Sequence, residues 1–133
     1  MMGPAHHVGI AVKRIDAALA AYRAFGLVPE SVEEVPSQGV RVAFLRAGSL
    51  GVELLESLKP EGVIARFVED RGEGLHHLAF AVTDIRAEMR RLQEGGFQLV
   101  DPAPRLGAHG RLVAFVHPRS AHGVLVELVQ ESE

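Results

Sequence analysis

Gly74-Leu75-His76-His77-Leu78-Ala79-Phe80-Ala81-Val82 decides the fold, because the chain says it twice. Its counterpart is Ala5-His6-His7-Val8-Gly9-Ile10-Ala11-Val12. Each stretch opens on a histidine pair and runs into a short apolar strand. Each then passes two polar residues and an isoleucine into a helical pattern that ends at glycine. With an offset of 70 (76 minus 6), His6/His76, His7/His77, Ala11/Ala81, Val12/Val82, Ile15/Ile85, Ala17/Ala87 and Gly26/Gly96 coincide without a gap. Farther along, Val42-Ala43-Phe44 answers Val113-Ala114-Phe115, and Val52-Glu53-Leu54 answers Val126-Glu127-Leu128 after a small insertion. The order of matches points to an internal duplication, two copies of one module facing a shared site.

Working outward, Val8–Val12 reads as a buried strand, short and apolar between polar residues. Ile15, Leu19, Tyr22 and Phe25 recur at helical spacing, with Asp16 near the positive end of the helix and Gly26 placed to terminate it. The stretch 29–36, containing proline and glutamate, leads to a turn at Gln38-Gly39. Val40–Leu45 is extended, with Val40, Val42 and Phe44 on one face, and Val52–Leu55 is a further strand with Glu53 inside it. Residues 58–73 form a connection, with Val63, Ile64, Phe67 and Val68 at helical spacing. The second copy repeats the order. His77–Val82 is a strand, Ile85, Met89 and Leu92 make a helical stripe ending at Gly95-Gly96, and Phe97–Val100 is extended. Residues 101–110 form a Pro/Gly loop, Leu112–Val116 a strand, 117–123 a loop, and Val124–Val129 the last strand around Glu127.

The 133 residues suit a single domain with an ordinary core, and 47% hydrophobic composition excludes a disordered chain. The formal charge of −3, with lysine and arginine scattered, gives no footprint for nucleic acid. Without cysteine, disulfides and thiolate metal sites are impossible, so metal chemistry falls to the seven histidines and the carboxylates. No signal pattern and no apolar run of membrane-spanning length is present, so the expected protein is soluble and cytoplasmic, with no membrane partner.

The duplication yields four chemically significant residues in two equivalent pairs, His7 with His77 and Glu53 with Glu127. Taken alone, a histidine at a strand start is usually a surface or hydrogen-bonded residue, and a glutamate within Val-Glu-Leu usually faces solvent. Occurring as repeat-related pairs with apolar flanks, they suit a divalent ion with positions left for water or substrate. Co²⁺, Mn²⁺, Ni²⁺, Fe²⁺ and Zn²⁺ are all compatible with such a nitrogen and oxygen set. Adjacent strand residues face opposite ways, so only one histidine of each pair can serve, and parity alone does not choose between His6 and His7 or between His76 and His77.

At this point the two histidine strands resemble those of the vicinal-oxygen-chelate superfamily. Leu106-Gly107-Ala108-His109-Gly110, Val116-His117-Pro118-Arg119 and Gly123-Val124-Leu125-Val126-Glu127-Leu128 resemble the methylmalonyl-CoA epimerase family within it. The resemblance covers essentially the whole chain. It implies an α+β fold of two βαβββ modules, about residues 5–57 and 74–131 with a connecting helix at 58–73. These form a cupped eight-stranded sheet around a metal site, as one domain over residues 1–133. The family's ligands fall on His7, Glu53, His77 and Glu127, with Co²⁺ as the first expectation and Mn²⁺, Ni²⁺ or Zn²⁺ as alternatives. A homodimer and a CoA thioester substrate are implied as well.

The family reaction interconverts the epimers of methylmalonyl-CoA by 1,1-proton transfer through a metal-stabilised enolate, which needs one base per face. The resemblance gives Glu127 one base role. The position where some members carry the opposing glutamate is Val42 here, following Gln38-Gly39-Val40-Arg41, and valine transfers no protons. Glu53, related to Glu127 by the repeat, is the substitute. Arg119 and His109 are the substrate-binding candidates, Arg119 as an always-charged donor for a phosphate or carboxylate. A glyoxalase-type lyase shares the ligand types. A metal-free binding module would need no convergent His/Glu pairs, and a ring-cleaving dioxygenase would want one carboxylate rather than two.

Overall fold

The computed structural model describes residues 1–131. Its elements run β1 (Ala5–Ala11), α1 (Ile15–Ala24), β2 (Pro29–Val35), β3 (Val40–Ala47), β4 (Leu50–Ser57), α2 (Val63–Arg71), β5 (Gly74–Ala81), α3 (Ile85–Glu94), β6 (Arg105–Leu106), β7 (Leu112–Val116) and β8 (Val126–Gln130). This is the expected α+β class, with βαβββ written twice and α2 between the copies. The chain divides into two compact units, one of residues 7–76 and one that joins residues 1–6 to the chain from His77 onward. The first has strand order β2-β3-β4-β1 and the second β5-β8-β7-β6. In each copy the histidine strand runs parallel to the last strand, and the last two strands are antiparallel.

The two copies are built by the same local devices. In the unit of residues 7–76, α1 lays Ile15 and Leu19 on Ala43, Leu45, Val52 and Leu54 to make a buried core with Val12. In the other, α3 lays Ile85, Met89 and Leu92 on Ala114, Val116 and Leu128, with Val82. Ile15 and Ile85 are wholly buried, each worth about 2 kcal/mol of transfer free energy. Both helices end in the same way. Gly26 (φ 91°) and Gly96 (φ 88°) take positive φ. Leu27 N–H donates to the Tyr22 carbonyl at 3.0 Å, and Phe97 N–H donates to the Leu92 carbonyl at 2.9 Å. These bonds satisfy carbonyls the helix leaves without partners.

The helix starts are tied to the last strand of their own copy. Ile15 N–H donates to Glu56 Oε1 at 2.7 Å, and Ile85 N–H donates to Gln130 Oε1 at 2.8 Å. Glu56 and Gln130 each lie three residues beyond a candidate ligand, Glu53 and Glu127. In α3 the Asp84 carboxylate also accepts from Ala87 N–H at 3.1 Å as an N-cap.

Two elements differ from the sequence expectation. The stretch 29–36 contains a seven-residue strand, Pro29–Val35, antiparallel to β3. Its Glu30, Glu33 and Glu34 lower strand propensity, but pairing along β3 and burial of Val35 outweigh it. In the second copy, Phe97–Val100 is not a strand and pairs with the sheet at an isolated bridge between Leu99 and Val116, with Leu99 packed against the core. The equivalent of β2 is the two-residue β6, inside the stretch read as loop. Pro102 and Pro104 have no N–H for a ladder, and the Asp101 carboxylate accepts from Phe115 N–H at 2.8 Å in place of a strand.

Gly26→Ala and Gly96→Ala are each expected to cost about 1–2 kcal/mol, measured by urea denaturation, because an L side chain is strained at positive φ. No atom obstructs a Cβ at either position, so the strain is the whole effect. On α3, the hydrogen bond from Arg91 holds the Glu88 carboxyl below its ordinary value, against burial, with the Met1 ammonium adding to the effect. Because the folded-state value is lowered, this stabilisation is present above the unfolded carboxyl's titration and is lost as pH falls through the folded one. Glu88→Gln is therefore expected to lower the urea midpoint at pH 7, with the gap to the unsubstituted protein closing on acidification.

Candidate metal centre

Strand register places the four candidate residues as two pairs. In the unit of residues 7–76, β1 pairs with β4 so that His7 lies opposite Gly51 and Gly9 opposite Glu53. Residues two apart share a face, so His7 and Glu53 project from the same side, with Gly9 leaving space beside the carboxylate. On the other flank of Glu53, β3 supplies Phe44. The opposite face, carrying Ala43, Leu45, Val52 and Leu54, is covered by α1. The second copy reproduces this register: Ala79 lies opposite Glu127 on one side and Phe115 on the other. His77, two residues before Ala79, shares their face.

The distances follow from that register. His7 Nδ1 lies 3.4 Å from Glu53 Oε2, and His77 Nε2 lies 3.0 Å from Glu127 Oε1. All four residues are between 2 and 8% exposed. Burying a carboxylate is costly unless it is paired or bound to a cation, and each glutamate has an imidazole beside it. Phe115 stands edge-on to His77, ring centroids 5.6 Å apart, and fixes that ring. Two ligands bonded to one ion at about 2.1 Å lie about 3.0 Å apart at right angles and about 3.4 Å apart at the tetrahedral angle. Both pairs have the spacing of neighbouring ligands, so the donor set fits a divalent ion.

The neighbouring histidines are occupied elsewhere. His6 Nε2 is in contact with the Glu131 carboxylate. Burial pushes the Glu131 carboxyl up, but the His6 hydrogen bond and the charges of Arg111, His6 and His109 together bring it below its ordinary value. His76 stacks edge-on against Phe67 of α2, with centroids 4.9 Å apart. Parity left the choice of histidine open, and these contacts separate the two members of each pair.

The two substrate-binding candidates lie on turns. His109 is exposed, with φ 59°, and its Nδ1 is 3.4 Å from an Arg111 guanidinium nitrogen. Arg119 is exposed at the start of a short turn, where its N–H donates to His117 Nδ1 at 3.0 Å. Sequence reasoning passed over Arg111. It precedes β7 in register with Val113 and Phe115, so alternation directs it to the Glu127 face. It also passed over Glu33, for lack of β2. Counting parity back from Phe115 would have found Arg111, whereas the place of Glu33 depends on the pairing of β2 with β3.

Residues 6–115 match the model of the Glyoxalase/Bleomycin resistance protein/Dioxygenase superfamily. The protein YqjC of Bacillus subtilis is 42% identical over 93% of this chain and 89% of its own length. The ethylmalonyl-CoA/methylmalonyl-CoA epimerase of Cereibacter sphaeroides is 39% identical over 98% of this chain and 99% of its own. Among solved structures, a variant of the Streptomyces coelicolor methylmalonyl-CoA epimerase in complex with 2-nitronate-propionyl-CoA superposes with a TM-score of 0.95. It is 32% identical and covers all of both chains.

Proposed function

The chain belongs to the methylmalonyl-CoA epimerase family of the Glyoxalase/Bleomycin resistance protein/Dioxygenase superfamily, and from that premise we propose that it interconverts the 2R and 2S epimers of methylmalonyl-CoA at a divalent-metal centre. The observation that carries this reading is the pair of buried His/Glu contacts at ligand spacing, repeated in the same register in both copies. In the proposal the two copies act as one domain, and His7, Glu53, His77 and Glu127 hold the ion together, Co²⁺ first among the candidates. When bound, the ion would supply Lewis-acid stabilisation of negative charge developing on the thioester oxygen.

The residues of the chain do the rest. C2 of the substrate lies between a thioester and a carboxylate, so its proton is acidic enough for a carboxylate base to remove once it is positioned. Glu127 takes or returns that proton on one face. A nitronate is a planar anion with the shape of an enolate, and its presence with the Streptomyces coelicolor relative agrees with planar-intermediate chemistry in the family. Val42 leaves the opposing face to another group, and the repeat makes Glu53 the first claimant. The always-charged Arg119 guanidinium suits a CoA phosphate or the substrate carboxylate, with His109 beside Arg111 as a second polar contact. A cytoplasmic homodimer belongs to the same reading and rests on the family resemblance.

Two outcomes are expected. Adding Co²⁺ to chelator-treated protein at about 100 times its dissociation constant stabilises the fold by about 2.7 kcal/mol, read as a rise in Tm. His7→Ala, His77→Ala and Glu127→Ala abolish that rise, whereas His6→Ala and His76→Ala retain it. In D₂O the metal-loaded protein exchanges the C2 proton of methylmalonyl-CoA and interconverts the separate epimers. Glu127→Gln slows this about 10²–10⁴-fold, and metal-loaded protein that left C2 unexchanged would reject the reading.

A further inference from the structure

The residue facing Val42 across the sheet is an acid. β2 and β3 are antiparallel, with Glu33 opposite Val42 and Ser31 opposite Phe44, and β3 and β4 set Phe44 opposite Glu53. Cross-strand partners share a face, and residues two apart share a face. Glu33, Val42, Phe44, Glu53 and His7 therefore all belong to the side of the sheet away from α1. Paired Cα atoms on neighbouring antiparallel strands are about 4.5–5.5 Å apart, so Glu33 carries a carboxylate one strand's spacing from where a glutamate at 42 would begin. The burial pattern of β2 agrees, with Ser31, Glu33 and Val35 turned inward and Val32 and Glu34 exposed. The Ser31 hydroxyl donates to Glu33 Oε2 at 2.9 Å and fixes the carboxylate's orientation.

We propose that Glu33 is the second proton-transfer residue, acting in place of the acid that valine removes from position 42. The inference rests on the proposed epimerase reading and names the group that Glu53 was assigned by symmetry alone. Glu53 is nearly buried against His7 as a ligand, and a cation stabilises the anionic form of a carboxylate and weakens it as a base. Glu127 already carries ligand and base roles together, and giving Glu53 both as well would weaken both transfers. Glu33 is half-buried, so it can exchange its proton with water between turnovers.

The step balances without a further reactant. The Glu127 carboxylate takes the C2 proton, and the C2–H electron pair moves into the thioester as the enolate. The carboxylic acid of Glu33 then delivers its proton to C2 from the other face, and the enolate electrons form the new C2–H bond. Glu127 ends protonated and Glu33 ionised, and each resets by exchange with water. The reverse reaction swaps the two roles.

The test uses metal-loaded Glu33→Gln, which keeps an oxygen for Ser31, with each epimer supplied separately in D₂O. Epimerisation is expected to fall about 10²–10⁴-fold, while deuterium still enters C2 of the one epimer whose proton faces Glu127. Metal content stays unchanged, and Glu33→Asp recovers part of the epimerisation rate. Unimpaired epimerisation by Glu33→Gln overturns the proposal, as does loss of exchange from both epimers. The one-sided pattern seen in Glu53→Gln instead of Glu33→Gln also overturns it and returns the role to Glu53. If the unsubstituted metal-loaded protein itself exchanges nothing at C2, the epimerase reading fails, a result distinct from failure at Glu33 alone.

Discussion

The alternation of side chains along a paired strand is the constraint on which the rest of this structure depends. A parallel pairing sets Glu53 beside Gly9 and Glu127 beside Ala79, and in each case the histidine two residues back shares the carboxylate's face. Shifting either register by one residue would turn the glutamate into the apolar layer beneath the helix and the leucine beside it toward the histidine. The hydrophobic core prevents that slip. Leu54 and Leu128 are fully buried under α1 and α3, so the free energy that packs the helices also aims the candidate ligands. The small residues at positions 9 and 79 follow from the same geometry, since a large side chain there would fill the space beside each glutamate.

A second tie runs from the helices back to the last strands. The first N–H of each helix needs an acceptor, and the acceptor comes from a side chain three residues past the ligand, Glu56 in one copy and Gln130 in the other. Three residues along a strand is the opposite face, so one short segment presents its ligand to one side and its cap to the other. Arg41 approaches Glu56 to 3.8 Å and Asp16 to 4.0 Å, so charges on β3 and α1 meet at the same point. The use of a carboxylate in one copy and an amide in the other is a difference the duplication tolerates, because both supply an oxygen acceptor.

The copies diverge most at their third element. β2 runs seven residues, while its counterpart β6 has two, after a loop held by Asp101 rather than by a ladder. A full-length β2 carries Glu33 into register with Val42, whereas the short β6 sets Arg105 opposite Val113, the repeat's counterpart of Val42. In the proposed mechanism the two proton-transfer groups, Glu127 and Glu33, belong to unlike elements of their own copies, a last strand and a second strand. A metal site can be nearly symmetric because its ligands do the same thing. Two bases on opposite faces of one carbon have no such requirement.

The sequence by itself determined the duplication, the α+β class, both long helices with their glycine stops, and the equivalence of the histidine pairs 6–7 and 76–77 and of Glu53 with Glu127. Those features are written in local periodicity and in the repeat, which need no knowledge of distant contacts. Only the tertiary structure gave His6 and His76 contacts of their own, His6 with Glu131 at the other end of the chain and His76 with Phe67 of α2. It alone turned an acidic stretch into β2, because a strand of low propensity forms when a neighbour offers it a ladder. It also set Glu33 opposite Val42, because cross-strand register is fixed by pairing between segments and is absent from either segment alone.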